Sequence, residues 1–445
     1  MIDRAIARAS SADMMELACD IGPAPRQWGA VFLLDGCTTL DLDSVRAAVA
    51  ARIAGIRGLH QRLMRTPWGC GRPIWVDDPD FDIANHVRTA PCRPPGDRAA
   101  VLAAASELVG RPLSRLHPAW EVTLLGGSAG SRTALVVVMH HLLADGMGGL
   151  AILAQLVDGG PTTTLDAPAR VAPGRAELAR DAALSRLRAL RRIGTVPGIV
   201  RAAVAELRSG ATLRAARCSL NRAAGPHRQL ISIRGDLASV HTVAHSRAAS
   251  INDVMLTVIG RGLNDLLALR GEHIDPIVAS VPVSARSQHA AGTLGNQVGV
   301  MPVAIPTGLA AQACLIAVAA STRDRKSRTR GTSTALLAPA FRALAGLHLL
   351  RWAVNHQRLV HTFVTNLRGP DAPVSFLGAG VGEIVPLNLL AGNIAVAFAV
   401  FSYAGSITIT VTVDPDVVPD LEVLARALDR QLAGLDQFQQ PLTAP

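Results

Sequence analysis

Residues 386–413 run from PLNLLAGNIAV to ITITVTV without one charged side chain. A run of that length can span a bilayer, which takes about 20 apolar residues. It therefore forces a choice between a membrane segment and a wholly buried sheet. Asn388, Gly392, Asn393, Ser402, Gly405 and Ser406 interrupt it, and its second half alternates. Alternation is the period of a strand, not of a helix. The run predicts two buried strands joined by a turn at Tyr403-Ala404-Gly405.

A sheet buried on both faces needs a large apolar chain around it. The chain supplies it, with 445 residues, 49% hydrophobic and 18% charged. Length alone points to two or three domains. Patterns along the chain mix both periods. Ala30–Leu34, Ile74–Val76, Trp120–Leu125, Thr133–Met139, Leu230–Ile233, Ile277–Val283, Asn296–Pro306 and Phe363–Asn366 read as strands. Leu42–Ile56, Ala99–Val109, Gly148–Val157, Leu237–His245, Asn252–Arg270, Ala310–Arg323, Thr332–His356 and Leu421–Leu435 read as helices. Glycines and prolines at 159–161, 168 and 173 mark a boundary. The expected partition is 1–160, a helical linker at 161–225 rich in arginine and alanine, and 226–445. Both large parts read as α+β with mixed sheets of similar build.

The chemistry gathers at Leu135–Leu150, LVVVMHHLLADGMGGL. A β-branched run ends in His140 and His141, and Asp145-Gly146 follow before a helix. A histidine at a strand end is a general-base candidate. The plainer reading is a packed or surface histidine, but two histidines with Asp-Gly at this spacing are uncommon by chance. Alternate strand residues face opposite sides, so only one of the pair faces a given cavity. Asp145 is close enough to brace the turn or to pair with an arginine elsewhere, and Gly146 permits a tight turn before the helix.

Competing sites are weaker. Gly126-Gly127-Ser128-Ala129-Gly130 fits the serine-hydrolase pattern, yet a strand follows it where that elbow needs a helix. Lys326 is the one lysine, and it lies in no phosphate-binding loop. Adjacent histidines do not readily share one zinc, so no metal is expected. The six cysteines are scattered and form no C-x-x-C, as in a reduced, cytosolic chain. Net charge is +10, but aromatics are 3%, which disfavours nucleic acid. The basic balance suits the phosphates of a coenzyme or an anionic lipid surface. Glu177–Arg222 reads either as a basic amphipathic segment on a membrane or as a solvated linker helix.

His140-His141-Leu142-Leu143-Ala144-Asp145-Gly146 resembles the signature of coenzyme-A-dependent acyltransferases, a superfamily that includes chloramphenicol acetyltransferase and peptide-synthetase condensation domains. Further stretches resemble the bacterial wax ester synthase/diacylglycerol acyltransferase family. These are Ile74-Trp75-Val76, Phe81-Asp82-Ile83, His86-Val87-Arg88, Pro118-Ala119-Trp120-Glu121, Asn252-Asp253-Val254, Pro282-Val283-Ser284-Ala285-Arg286, Leu294-Gly295-Asn296-Gln297, Asn366 with Gly369-Pro370, Ser402-Tyr403-Ala404-Gly405 and Val418-Pro419-Asp420. The resemblance runs from about residue 30 onward, and the first thirty residues match poorly. Ala119 stands where the family usually has leucine.

The resemblance implies two similar mixed-sheet domains of chloramphenicol acetyltransferase-like fold around a central tunnel. It implies an acyltransferase with acyl-CoA as co-substrate and no cofactor, making triacylglycerol or wax ester from diacylglycerol or a long-chain alcohol. By carry-over His141 is the general base, His140 its structural neighbour and Asp145 an orienting residue, with Arg286 one candidate partner. Asn252, Asp253 and Asn296 are supporting residues, a capped helix start being the plain alternative for Asn252-Asp253. Thr365 and Asn366 lie where an oxyanion donor could sit. The alternatives are a specialised-metabolite acyltransferase of the same fold with a carrier-protein donor, and a lipid-binding protein without turnover. The expected location is the cytoplasm, with the inner membrane face or lipid droplets as docking surfaces.

Overall fold

The uncharged run becomes sheet. Val396–Tyr403 and Ser406–Val413 pair antiparallel, with Tyr403 opposite Ser406 across Ala404 and Gly405. These two residues have φ of 45° and 78°. Two successive positive φ values make the two-residue hairpin turn whose twist matches the strands. Glycine accepts that conformation freely, whereas Ala404 accepts it with strain. Only Ser402 and Ser406 in the two strands escape full burial. No helix of the described residues is long and apolar enough to cross a membrane.

The structure is a computed structural model, and it describes residues 6–35, 40–126, 132–161, 170–191, 214–284, 298–328, 344, 347 and 349–438. The strands are β1 (Gln27–Leu34), β2 (Gln61–Met64), β3 (Ile74–Asp77), β4 (Val87–Pro91), β5 (Trp120–Gly126), β6 (Ala134–His140), β7 (Gln229–Asp236), β8 (Ile277–Ser284), β9 (Val298–Ile305), β10 (Thr362–Arg368), β11 (Ser375–Phe376), β12 (Ala379–Leu387), β13 (Val396–Tyr403) and β14 (Ser406–Val413). The helices are α1 (Ser11–Cys19), α2 (Leu42–Ile53), α3 (Arg98–Gly110), α4 (Gly146–Leu156), α5 (Arg175–Arg191), α6 (Leu237–Ser246), α7 (Ile251–Leu269), α8 (Ala311–Arg328), α9 (Leu350–Asn355) and α10 (Leu421–Ala433).

Two six-stranded mixed sheets result, in orders β11-β12-β1-β6-β5-β4 and β7-β14-β13-β10-β8-β9, beside the small β2–β3 hairpin. Each large sheet joins antiparallel neighbours to a parallel pairing, β4–β5 in one and β8–β10–β13 in the other. This is the expected α+β class with two sheets of similar build. Of the expected helix at 332–356, the described residues carry only the short α9 at its end.

The expected partition at 160 and 226 does not separate the sheets cleanly. Residues 375–387 come from the C-terminal half, yet β12 pairs along β1 from Gly29–Leu387 to Leu34–Val381. Without β12, the outer edge of β1 would present unpaired backbone groups.

Three polar ties hold this exchange. Tyr403, the sole tyrosine, donates from Oη to Val381 O at 2.6 Å and accepts from Val374 N at 2.9 Å. Arg98 spans from α3 to Glu383 at 2.8 and 2.9 Å and reaches Ser232 O of β7. Asp158, just past α4, accepts from Ser375 Oγ, Leu377 N and Gly378 N and pairs with Arg52 of α2.

Candidate active site

β6 lies in the middle of its sheet, wholly buried, and delivers the histidine pair at its end. Gln27 of β1 is in register with His140, and His141 N donates to Arg26 O at 2.9 Å. The loop beyond is pinned by Trp28, whose indole N–H donates to Ala144 O at 3.0 Å. A Cβ added at Gly149 would lie 1.9 Å from Trp28 Cη2, so only glycine lets α4 approach that ring.

The two histidines differ in what their ring nitrogens do. His140 Nδ1 accepts from Leu142 N at 3.1 Å, so that nitrogen carries no hydrogen. The proton is on Nε2, which lies 3.0 Å from Asp20 Oδ2. Both nitrogens of His140 are thereby committed in its neutral form. Burial, with Arg115 and Arg26 nearby, pushes its pKa down to about 4. His141 keeps 22% of its side chain exposed, and its Nδ1 faces Glu16 Oε1 at 3.7 Å. Burial also lowers the His141 pKa below the ordinary 6.5, and the Glu16 charge opposes that shift.

Glu16 and Asp20 come from α1 and its C-terminal cap. Ser10 and Asp13 form a reciprocal capping box at its start, and Asp13 Oδ2 also accepts from Trp75 Nε1 at 3.2 Å. Arg26 grips Glu16 Oε2 at 2.7 Å, and Arg115 pairs with Asp20. None of Glu16, Asp20, Arg26, Arg115 and Trp28 was singled out in the sequence. One signal was available: Ser10-x-x-Asp13 announces a helix, and acids at 16 and 20 share its face.

Asp145 is 1% exposed and caps α4, accepting from Gly148 N at 2.8 Å. Gly146 does not serve as expected. It does not adopt a positive φ, and a Cβ there would make ordinary contacts with Leu367 and Thr365 at 3.6 to 3.9 Å. The position instead marks where α4 meets β10. Thr365 is thereby beside the motif, and Asn366 follows it on the same strand.

The Asn252-Asp253 pair lies elsewhere. Asp253 Oδ2 accepts from Ser250 N and Oγ at 2.8 and 2.7 Å, and Oδ1 accepts from Thr322 Oγ1 at 2.7 Å. These contacts cap α7 and tie it to α8, as the plain alternative of a capped helix start describes. Arg286, Asn296 and Ser128 lie outside the described residues.

Two cavities flank the motif. One of about 810 Å³ is walled by His140, Leu142 and Leu143, by Met14, Leu17 and Ala18 of α1, and by Trp75, His117 and Ala119, with Arg62, Arg65 and Arg115 among its lining. The other, about 470 Å³, runs along Leu150, Leu153 and Ala154 of α4 to Gly369-Pro370 and Phe401. The first opens beside His140 with a mixed apolar and basic lining, and the second lies along the far part of α4 with a mostly apolar one.

Comparison with known proteins gives this geometry its setting. Residues 10–255 match the wax ester synthase/diacylglycerol acyltransferase catalytic domain, and residues 294–436 match the WS/DGAT C-terminal domain. The first match begins at residue 10, which corrects the expectation that the resemblance starts near residue 30. It includes α1, whose carboxylates face the histidines. The probable diacylglycerol O-acyltransferase tgs1 of Mycobacterium tuberculosis is 31% identical over 427 residues, spanning 92% of this chain and 90% of that one. The wax ester synthase/diacylglycerol acyltransferase from Marinobacter aquaeolei VT8 superposes with a TM-score of 0.68 at 21% identity, covering 97% and 99% of the two chains. The starter condensation domain of rhizomide synthetase, in complex with C8-CoA and Leu-SNAC, gives 0.66 at 14% identity, covering 99% and 95%.

Proposed function

The chain belongs to the wax ester synthase/diacylglycerol acyltransferase family, and from that premise we propose an acyl-CoA:alcohol O-acyltransferase with His141 as general base. The acceptor is the hydroxyl of a diacylglycerol or a long-chain alcohol, and the product is triacylglycerol or wax ester. The observation that carries the base assignment is the state of His140. Its one lone pair is taken by Leu142 N–H, so it has none for a substrate proton. His141 is the neighbour left to act, and burial keeps it neutral at neutral pH.

The reaction is a direct transfer. His141 takes the acceptor's hydroxyl proton as the oxygen attacks the thioester carbonyl carbon. The tetrahedral intermediate collapses, the C–S bond breaks, and the proton passes from His141 to the departing thiolate. No acyl-enzyme forms. Thr365 and Asn366, at the α4–β10 contact, are the proposed donors to the oxyanion. Asp145 holds the loop by capping α4. Asp253 supports the fold of the C-terminal half by tying α7 to α8, and Asn252 beside it is a supporting residue of the same helix start. The two parts on either side of 161–225 act as subdomains, with 375–387 exchanged between them.

A lipid surface is the proposed docking partner. Trp68 is 96% exposed on the loop that leads into the cavity wall at Gly71 and Pro73. Arg186 of α5 donates to Gly69 O, which ties the helix carrying the exposed Leu184 and Leu187 to the tryptophan's loop. Aromatic, aliphatic and guanidinium groups together suit an anionic interface. Flotation with anionic vesicles at low and high salt checks this, and absence of binding at both overturns it.

Incubation with acyl-CoA and a panel of acceptors tests the activity. Triacylglycerol or wax ester is the expected product. Absence of both, with acylation of another hydroxyl or from a carrier protein, would select a specialised-metabolite enzyme of this fold.

A further inference from the structure

Resting on the reading of His141 as the base, we propose that Glu16 is its positioning residue, fixing the ring's tautomer and facing the charge it acquires during transfer. The motif's own carboxylate has another task, since Asp145 Oδ1 holds Gly148 N–H at 2.8 Å. Glu16 arrives from α1, and its two oxygens divide their partners. Oε2 takes Arg26 through Nε and a terminal nitrogen, both at 2.7 Å. Oε1 faces His141 Nδ1 at 3.7 Å, an ion-pair separation longer than a hydrogen bond.

The Glu16 and Arg26 side chains are 7% and 14% exposed, so solvent screens this cluster little. Burial works to raise the Glu16 carboxyl, and Arg26 overrides it, leaving the pKa below its ordinary value. A standing carboxylate on the Nδ1 side favours the tautomer with hydrogen on Nδ1. The Nε2 lone pair is then the one that takes the acceptor's proton. The resulting imidazolium forms beside an existing negative charge, and the proton leaves again to the thiolate. Glu16 itself neither gains nor loses a proton.

α1 is fastened well enough to serve this purpose. Its capping box, the Trp75 indole on Asp13 and the Asp20 contacts with His140 and Arg115 hold it at several points. The helix also walls the larger cavity through Met14, Leu17 and Ala18. One element thus orients the base and shapes the adjacent chamber.

The charged groups acting on His141 are Glu16 from α1, Arg26 before β1, His140 on β6 and Asp145 at α4. Two substitutions separate orientation from packing. Glu16→Gln lowers kcat by roughly 10- to 100-fold, less than the roughly 100- to 10,000-fold of a general base itself, and leaves KM for acyl-CoA within about twofold. It also moves the acid limb of the pH–rate profile to lower pH, because the charge that raises His141 is gone. Arg26→Gln leaves the Glu16 side chain in place but frees burial to raise its carboxyl, so this variant loses the same charge and turnover slows as well. A slower Glu16→Gln with its acid limb at lower pH upholds the proposal, and an unaltered rate and limb overturn it. If Glu16→Gln does not fold, the neutral pair Glu16→Leu/Arg26→Met removes both charges together. A folded pair variant at least about 10-fold slower upholds the role, and one at the wild-type rate defeats it. His141→Ala run in parallel distinguishes the two readings. An inactive His141→Ala with an unaltered Glu16→Gln rejects Glu16 alone, whereas an active His141→Ala rejects the base.

Discussion

Two helix starts in this chain carry the same kind of polar signature and do different work. Asp145 opens α4 and Asp253 lies in the first turn of α7; both are at least nine-tenths buried, and both accept backbone or hydroxyl hydrogens there. At α4 the preceding loop carries two histidines beside a cavity, and α1 lays carboxylates against them. At α7 the carboxylate meets Ser250 and Thr322, which are fold contacts. The lesson is that a buried acid at a helix start is structural by default. It acquires a bearing on chemistry from what lies across the loop, and that partner is distant in sequence.

The comparison breaks most decisively at the histidines. His141→Ala lowers kcat by roughly 10³-fold or more while a thermal melt stays near wild type, as loss of a general base predicts. Asp253→Ala costs about 2 kcal/mol of stability through the lost contacts with Ser250 and the lost tie to Thr322 of α8, measured by denaturant unfolding. Its turnover per folded molecule stays within about twofold of wild type, whereas Asp145→Ala, costing about 1 kcal/mol, also lowers turnover by about 10-fold. Equal turnover losses at both positions would erase the distinction between the two helix starts.

A gentler contrast separates two glycines of α4. Gly149→Ala drives a methyl into Trp28 and costs about 2 kcal/mol, because overpacking outweighs the helix propensity gained. Gly146→Ala meets only ordinary contacts and changes stability by less than about 0.5 kcal/mol. The pH dependence comes last. The base acts when neutral, and its pKa lies below 6.5. The acid limb of kcat/KM therefore has its midpoint below pH 6.5, and the rate falls as pH drops through it. An acid limb above 6.5 would contradict the burial of His141.

What could be read in the sequence is what is encoded over a few residues. The β6–loop–α4 switch, the β13–β14 hairpin and the α7 cap each rest on periodicity or turn chemistry within one short window. The histidine motif was legible for the same reason. Glu16 was not, because the register of β1 against β6 brings residues 16 and 141 together, and no local pattern states that register. β12 was not read as a strand, and its place beside β1 was hidden on the same ground, since a strand does not announce its neighbour. Gly146 was read as a turn residue when its space is set by Leu367 across the molecule. Each miss involves a partner more than a hundred residues away.

The placement of β12 beside β1 has a consequence for synthesis on the ribosome. β1 emerges early and pairs with β6 soon after, but its other edge waits for residues 381–387. At ordinary elongation rates, that interval is on the order of tens of seconds. Throughout it, the nascent N-terminal half displays an unpaired edge beside a largely apolar strand, a template for pairing with other chains. Until the last third of the chain is made, that edge stays open to such pairing. Severing the gene between the two halves would leave a first fragment that remains sticky for its whole life.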